Sequence, residues 1–282
     1  MSFLILRTAS IPICVIALFF IWILEGRIVR AEHISRSGPP TPSTCFWTER
    51  EFPDIEPISP ENAAGIILWN HGQDAKAVPS WRTGAPPVIR RFAERGWEVR
   101  LVQRNERCQG NWNTKGAQYV ENLIKEVIRA REEGYAKIVL AGQSYGAGTA
   151  LGAGSNSEVD GVIAFALSHG RGACRDQRTF KSSMILMHSK YIKEGIRELQ
   201  TPRILISMGT NDHCIDHSFT PLINRELLLK PVSYLFFDEK MKFEGHAAAL
   251  SKAFDKTYGE CIFGFFNKEH MPPGRTSCEE SK

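Results

Sequence analysis

The chain has 282 residues, with 35 Lys and Arg against 31 Asp and Glu for a net charge of +4, and 43% of its residues are hydrophobic. That length can fill one large core, and the composition excludes a disordered or fibrous chain. The basic residues are scattered rather than clustered, so there is no nucleic-acid footprint and no nucleic-acid partner is expected.

The chain opens with an uncharged, mostly apolar run after Arg7, Thr8 to Leu24, followed by E-G-R-I-V-R-A-E. Val29 and Ala31 have the spacing of a signal-peptidase site, so residues 1–31 read as a signal peptide cut after Ala31. The run is slightly short for a comfortable span. Arg27 and Arg30 can also hold an uncleaved anchor on the cytoplasmic side, and the membrane is then a partner. The expectation is export, periplasmic or secreted, with membrane anchoring as the alternative. Cys14 lies in this leader, and the other six of the seven cysteines are Cys45, Cys108, Cys174, Cys214, Cys261 and Cys278. None forms a C-x-x-C pair or has structural-zinc spacing. In an exported chain they read as disulfides. Cys261 with Cys278 is the simplest pairing, Cys174 with Cys214 the next, and Cys45 with Cys108 remains. A thiol enzyme would need Cys108 or Cys174 free.

Residues 32–62 are polar and proline-rich and read as an arm over a catalytic domain at 63–282. Within that domain, strands are expected at 65–69, 97–103, 138–141, 159–167, 203–208 and 232–237. Helices are expected at 86–95, 117–133, 145–151, 191–199 and 246–258. Over 117–133, Val120, Ile124, Val127 and Ile128 share one face while Glu121, Lys125, Arg129 and Glu132 reach water. Strands alternating with helices predict an α/β fold: a mostly parallel central sheet with helices on both faces. Ligands of such sheets bind beyond the carboxyl ends of the strands, and the polar residues of interest lie there.

The run K-I-V-L-A-G-Q-S-Y-G-A-G-T-A-L over 137–151 places a G-x-S-x-G between a strand and a helix. That context makes Ser144 a candidate nucleophile rather than a bystander in a glycine-rich turn. His71-Gly72 follows the first strand of the domain, Gly209-Thr-Asn-Asp212 a later one, and Gly245-His246 precedes the last helix. With these motifs the chain resembles the α/β-hydrolase superfamily, and within it the dienelactone-hydrolase-like serine esterases, over roughly residues 62 to 260. The order nucleophile, acid, histidine is the one that superfamily uses. The long 169–201 connection, the arm and the six cysteines depart from its core.

The resemblance implies a cofactor-independent ester hydrolase acting on a small-molecule ester. Ser144 attacks, His246 takes its proton, and Asp212 orients the imidazole. The backbone N–H groups of Tyr145 and Gln73 receive the oxyanion, and His71 braces the loop that carries Gln73. The side chains of Gln143 and Tyr145 flank the nucleophile and can touch substrate. Asp216 and Asp238 rival Asp212 as the acid. Other readings are hydrolysis of an amide, lactone or thioester, and a non-catalytic binding protein on the same scaffold. In Asp212-His-Cys-Ile-Asp-His217, His213 and His217 stand four apart and could face a metal, but no third ligand can be named. No metal is therefore assigned. Trp112 lies where it could line the acyl pocket.

Overall fold

The computed structural model describes residues 46–72, 84–104, 112–167, 192–215, 217–238, 240 and 243–278, with only the backbone over 112–115. The leader, Gln73, Asp216, Cys45, Cys108 and Cys174 lie outside the described residues, as do most of the 105–115 and 169–201 connections and the Trp112 side chain.

The apolar runs form strands because their residues can face two cores at once. β2 (Ile66–Asn70) is buried throughout. Its Ile66 and Leu68 pack with Leu123, Val127 and Ala147 on one side of the sheet. Its Ile67 and Trp69 pack with Val88, Phe92 and Phe254 on the other. β4 (Ile138–Gln143) and β5 (Gly161–Phe165) divide in the same way, as do β6 (Arg203–Ser207) and β7 (Ser233–Phe237). Each large apolar side chain buried this way contributes roughly 1.5–3 kcal/mol of transfer free energy.

β1 (Phe46–Arg50), β3 (Glu98–Arg104) and β8 (Gly274–Thr276) complete one eight-stranded sheet, in the order β1-β3-β2-β4-β5-β6-β7-β8. Only β1 runs antiparallel, pairing Phe46 with Arg104. All other neighbours are parallel. Helices α1 (Pro87–Glu94) and α6 (Lys252–Asn267) cover one face. Helices α2 (Trp112–Glu132), α3 (Tyr145–Ala153), α4 (192–198) and α5 (Thr220–Leu228) cover the other. This is the α/β-hydrolase fold expected from the sequence. No helix among the described residues is long and apolar enough to cross a membrane.

Several elements differ from expectation. Part of the segment read as an arm is strand β1. β3 continues to Arg104, one residue beyond the expected strand, and its charges are paired: Glu98 lies 3.5 Å from Arg50, and Arg100 lies 2.7 Å from Glu133. The helix expected to begin at His246 begins at Lys252. His246 instead precedes a 3₁₀ turn, Ala248–Leu250, and Ser251 caps α6 by accepting from the Phe254 N–H at 3.1 Å. Cys261 and Cys278 are joined in a disulfide, closing the tail onto α6 as the sequence predicts. Cys214 is also disulfide-bonded, to a cysteine outside the described residues.

Candidate active site

Parallel strands deliver their carboxyl ends to one edge of the sheet. β2 ends there at His71-Gly72, β4 at Ser144 and β6 just before Asp212. The turn after β4 is sharp. Ser144 takes φ 55°, ψ −113°, a region an L-residue enters at a cost of about 1–3 kcal/mol. Its N–H donates to the Phe165 carbonyl of β5 at 2.9 Å. The glycines either side make the turn possible by contact distance. A Cβ on Gly146 would stand 2.0 Å from the Asn70 carbonyl oxygen, and one on Gly142 would stand 2.3 Å from the Gly146 backbone. Any side chain at Gly146 would push helix α3 away from β2. The Tyr145 N–H belongs to the first turn of α3, where the helix dipole favours a negative charge.

The loops after β6 and β7 are tied together. Gly245 N–H donates to Thr210 O at 2.7 Å, and Thr210 N–H donates to Phe243 O at 3.0 Å. This places His246 against Asp212. The His246 Nδ1–H donates to Asp212 Oδ2 at 2.8 Å, with Oδ1 at 3.1 Å. The Asp212 carboxylate is fully buried and also accepts the Cys214 N–H at 2.8 Å. Hydrogen bonds to a charged group contribute roughly 1.5–3 kcal/mol each, enough to hold one ring orientation. With Nδ1 carrying the proton, Nε2 of the neutral ring keeps a lone pair. That nitrogen is buried and has no hydrogen-bond partner among the described residues. The Gln143 side chain, immediately before Ser144, donates to the His246 carbonyl at 3.1 Å. The backbone of the His246 loop is therefore tied to the residue that precedes Ser144.

Asp238 belongs to a different cluster. Its carboxylate accepts the Lys240 N–H in its own turn at 3.0 Å. The Gln143 side chain brackets the His246 loop. The half-buried Tyr145 ring lies edge-on to Tyr119 with centroids 5.9 Å apart. Burial raises its phenol pKa above the ordinary value. His71 is buried, and its Nδ1–H donates to the Gly72 carbonyl at 2.5 Å. Burial, and then the Arg104 charge, hold its pKa well below 6.5, so the ring is neutral.

Asp212, His213 and Cys214 bring possible metal-ligand atoms within 4.8 Å of one another. The set does not suit a metal. The Cys214 sulfur is in a disulfide and has no thiolate to give, while Asp212 is engaged by His246. A residue missed in the sequence is Arg104, wholly buried at the end of β3 with its guanidinium 4.8 Å from the Tyr145 ring centroid. Its one signal is a second arginine at the end of a strand whose Val99, Leu101 and Val102 are apolar.

No family model and no curated protein matches the sequence. Solved structures do. An esterase of Pyrococcus furiosus, Pf2001, superposes with TM-score 0.52 at 16% identity, covering 72% of this chain and 81% of that one. A puromycin-hydrolyzing peptidase of Mycobacterium tuberculosis gives 0.53 at 15%, covering 83% of this chain and 39% of that one. Est1E of Butyrivibrio proteoclasticus, solved with ferulic acid bound, gives 0.51 at 10%, covering 79% and 95%. These likenesses are broad and single out no dienelactone-hydrolase-like branch. At such identities they speak to architecture, and with the sheet order and the serine turn they establish that the chain has the α/β-hydrolase fold.

Proposed function

We propose that the protein is a serine hydrolase that cleaves a carboxylic ester through an acyl-enzyme. The observation that carries this reading is the buried Asp212–His246 pair, whose loop is hydrogen-bonded through the His246 carbonyl to Gln143, the residue before the strained Ser144 turn. His246 Nε2 takes the Ser144 hydroxyl proton as Oγ attacks the ester carbonyl. Asp212 stabilises the imidazolium without itself becoming protonated. The Tyr145 N–H receives the oxyanion, with the Gln73 N–H as the second donor implied by the resemblance. Collapse returns the proton to the departing alcohol. Water, deprotonated by His246, then releases the acid and restores Ser144. No step needs a metal or cofactor.

The substrate is a small-molecule ester. The fold likenesses to esterases support that class, and the likeness to a peptidase keeps amides as the neighbouring alternative. Export is part of the proposal: the apolar leader and the disulfides fit an oxidising compartment. The test is turnover of a short-chain activated aryl ester. It should survive dialysis against EDTA and be abolished by Ser144→Ala. Activity lost on chelation and restored by zinc would overturn the mechanism.

A further inference from the structure

Arginine is rarely buried without partners, because removing its charge from water costs several kcal/mol. Arg104 is fully buried, and several of its contacts among the described residues lie next to the serine turn. Nη2 donates to the His71 carbonyl and, more weakly at 3.4 Å, to the Gly72 carbonyl. The same nitrogen lies 3.2 Å from His71 Nδ1 and 3.4 Å from Nε2, over the imidazole ring. The guanidinium carbon stands 4.8 Å from the centroid of the Tyr145 ring, which Tyr119 of α2 braces from its edge. One side chain on β3 thus touches both the loop after β2 and the residue that follows Ser144.

We propose that Arg104 is a positioning residue of the acyl-transfer site, its guanidinium fixing the His71-Gly72 carbonyls and the Tyr145 ring in one relative placement. This rests on the reading of Ser144 as nucleophile. In a trans peptide the N–H points away from the carbonyl of the same unit. Holding the His71 carbonyl therefore sets the direction of the Gly72 amide joined to it, and with it the course of the loop as it leaves β2. Stacking on Tyr145 holds the residue that supplies the first donor. Arg104 touches no reacting atom. It acts by holding Tyr145 and the loop after β2 in place beside Ser144, where a misplacement of about 1 Å can cost on the order of 10²-fold in rate. A lysine has no planar fork, so it cannot bridge two carbonyls and stack at once.

The test compares Arg104→Met and Arg104→Lys with wild type, by turnover of one activated ester and by the rate at which a fluorophosphonate labels Ser144. Circular dichroism and thermal melting check folding. In a folded Arg104→Met we expect kcat and the labelling rate to fall together by about 10- to 100-fold, with KM within about threefold. That is less than the 10²–10³ of deleting a donor, because the donors are displaced and not removed. Arg104→Lys should lie between. A merely structural arginine would lower the melting temperature and leave kcat of the folded fraction unchanged. Wild-type kcat in a folded Arg104→Met overturns the proposal, and so does a rise in KM alone. If the methionine variant does not fold, the lysine variant decides by the same measures, wild-type kcat overturning and reduced kcat supporting. A wild-type enzyme not labelled at Ser144 would refute the serine mechanism itself. Normal labelling in the folded Arg104 variants would refute only the positioning role.

Discussion

Asp212 is fixed by partners on both sides. The Cys214 N–H holds one carboxylate oxygen and His246 Nδ1–H the other, while Asp238 is occupied in its own turn. Asp212→Asn keeps the size but offers an amide that favours the wrong imidazole tautomer, presenting a proton to Ser144. Turnover should fall on the order of 10²–10⁴-fold, the scale of the same change in a serine protease. Asp238→Asn should cost under about 10-fold, and a dead Asp238→Asn beside an active Asp212→Asn would reverse the assignment. Glu51 gives a separate test through pH. It accepts the Ala85 N–H at 2.6 Å, and burial pushes its pKa from 4.5 up to about 7. The folded state then holds a proton that the unfolded chain has released. Its contribution to stability is full below pH 4.5 and is lost as pH rises through 7. Relative to wild type, Glu51→Gln should gain on the order of 1–3 kcal/mol between pH 4 and pH 8 in urea melts. Parallel pH profiles for the two proteins would contradict this.

The serine turn depends on backbone contact more than on side chains. Gly146→Ala should leave little activity, because its Cβ would meet the Asn70 and His71 carbonyls, and near-normal turnover in that variant would show that the turn can relax. The disulfide between Cys261 and Cys278 closes a loop of sequence separation 17. Replacing both with serine should cost about 3 kcal/mol and raise amide exchange first in β8, the short edge strand it anchors. The six strands with apolar runs were legible because a parallel strand buried on both faces has no choice of composition. β1 and β8 were not, since edge strands of polar and turn-forming residues look like arms and tails. α5 (Thr220–Leu228) was missed behind its Pro221 and mixed face. The helix placed at His246 followed the alanines, whereas the cap two residues after them, Ser251, marks the true start. Ser144, Asp212 and His246 could be named from their motifs. Which carboxylate reaches the imidazole could not, because it depends on how the loops after β6 and β7 bond to each other. Arg104 was illegible for a similar reason: burial of a cation is decided by carbonyls distant in sequence.

One sheet with a core on either face leaves its carboxyl edge free of packing duties, and the candidate groups collect there from β2, β3, β4 and β6. The rigid middle strands set their spacing, while the loops tied between Thr210 and Gly245 bring in the histidine. The central claim, that this assembly makes Ser144 a nucleophile, is tested most directly by treating the folded protein with a fluorophosphonate and locating the adduct by mass spectrometry. One adduct per chain is predicted, on the peptide containing Ser144, absent from Ser144→Ala and formed at least about 100-fold more slowly in His246→Ala. No adduct, an adduct on another residue, or equal labelling of the His246 variant would contradict it.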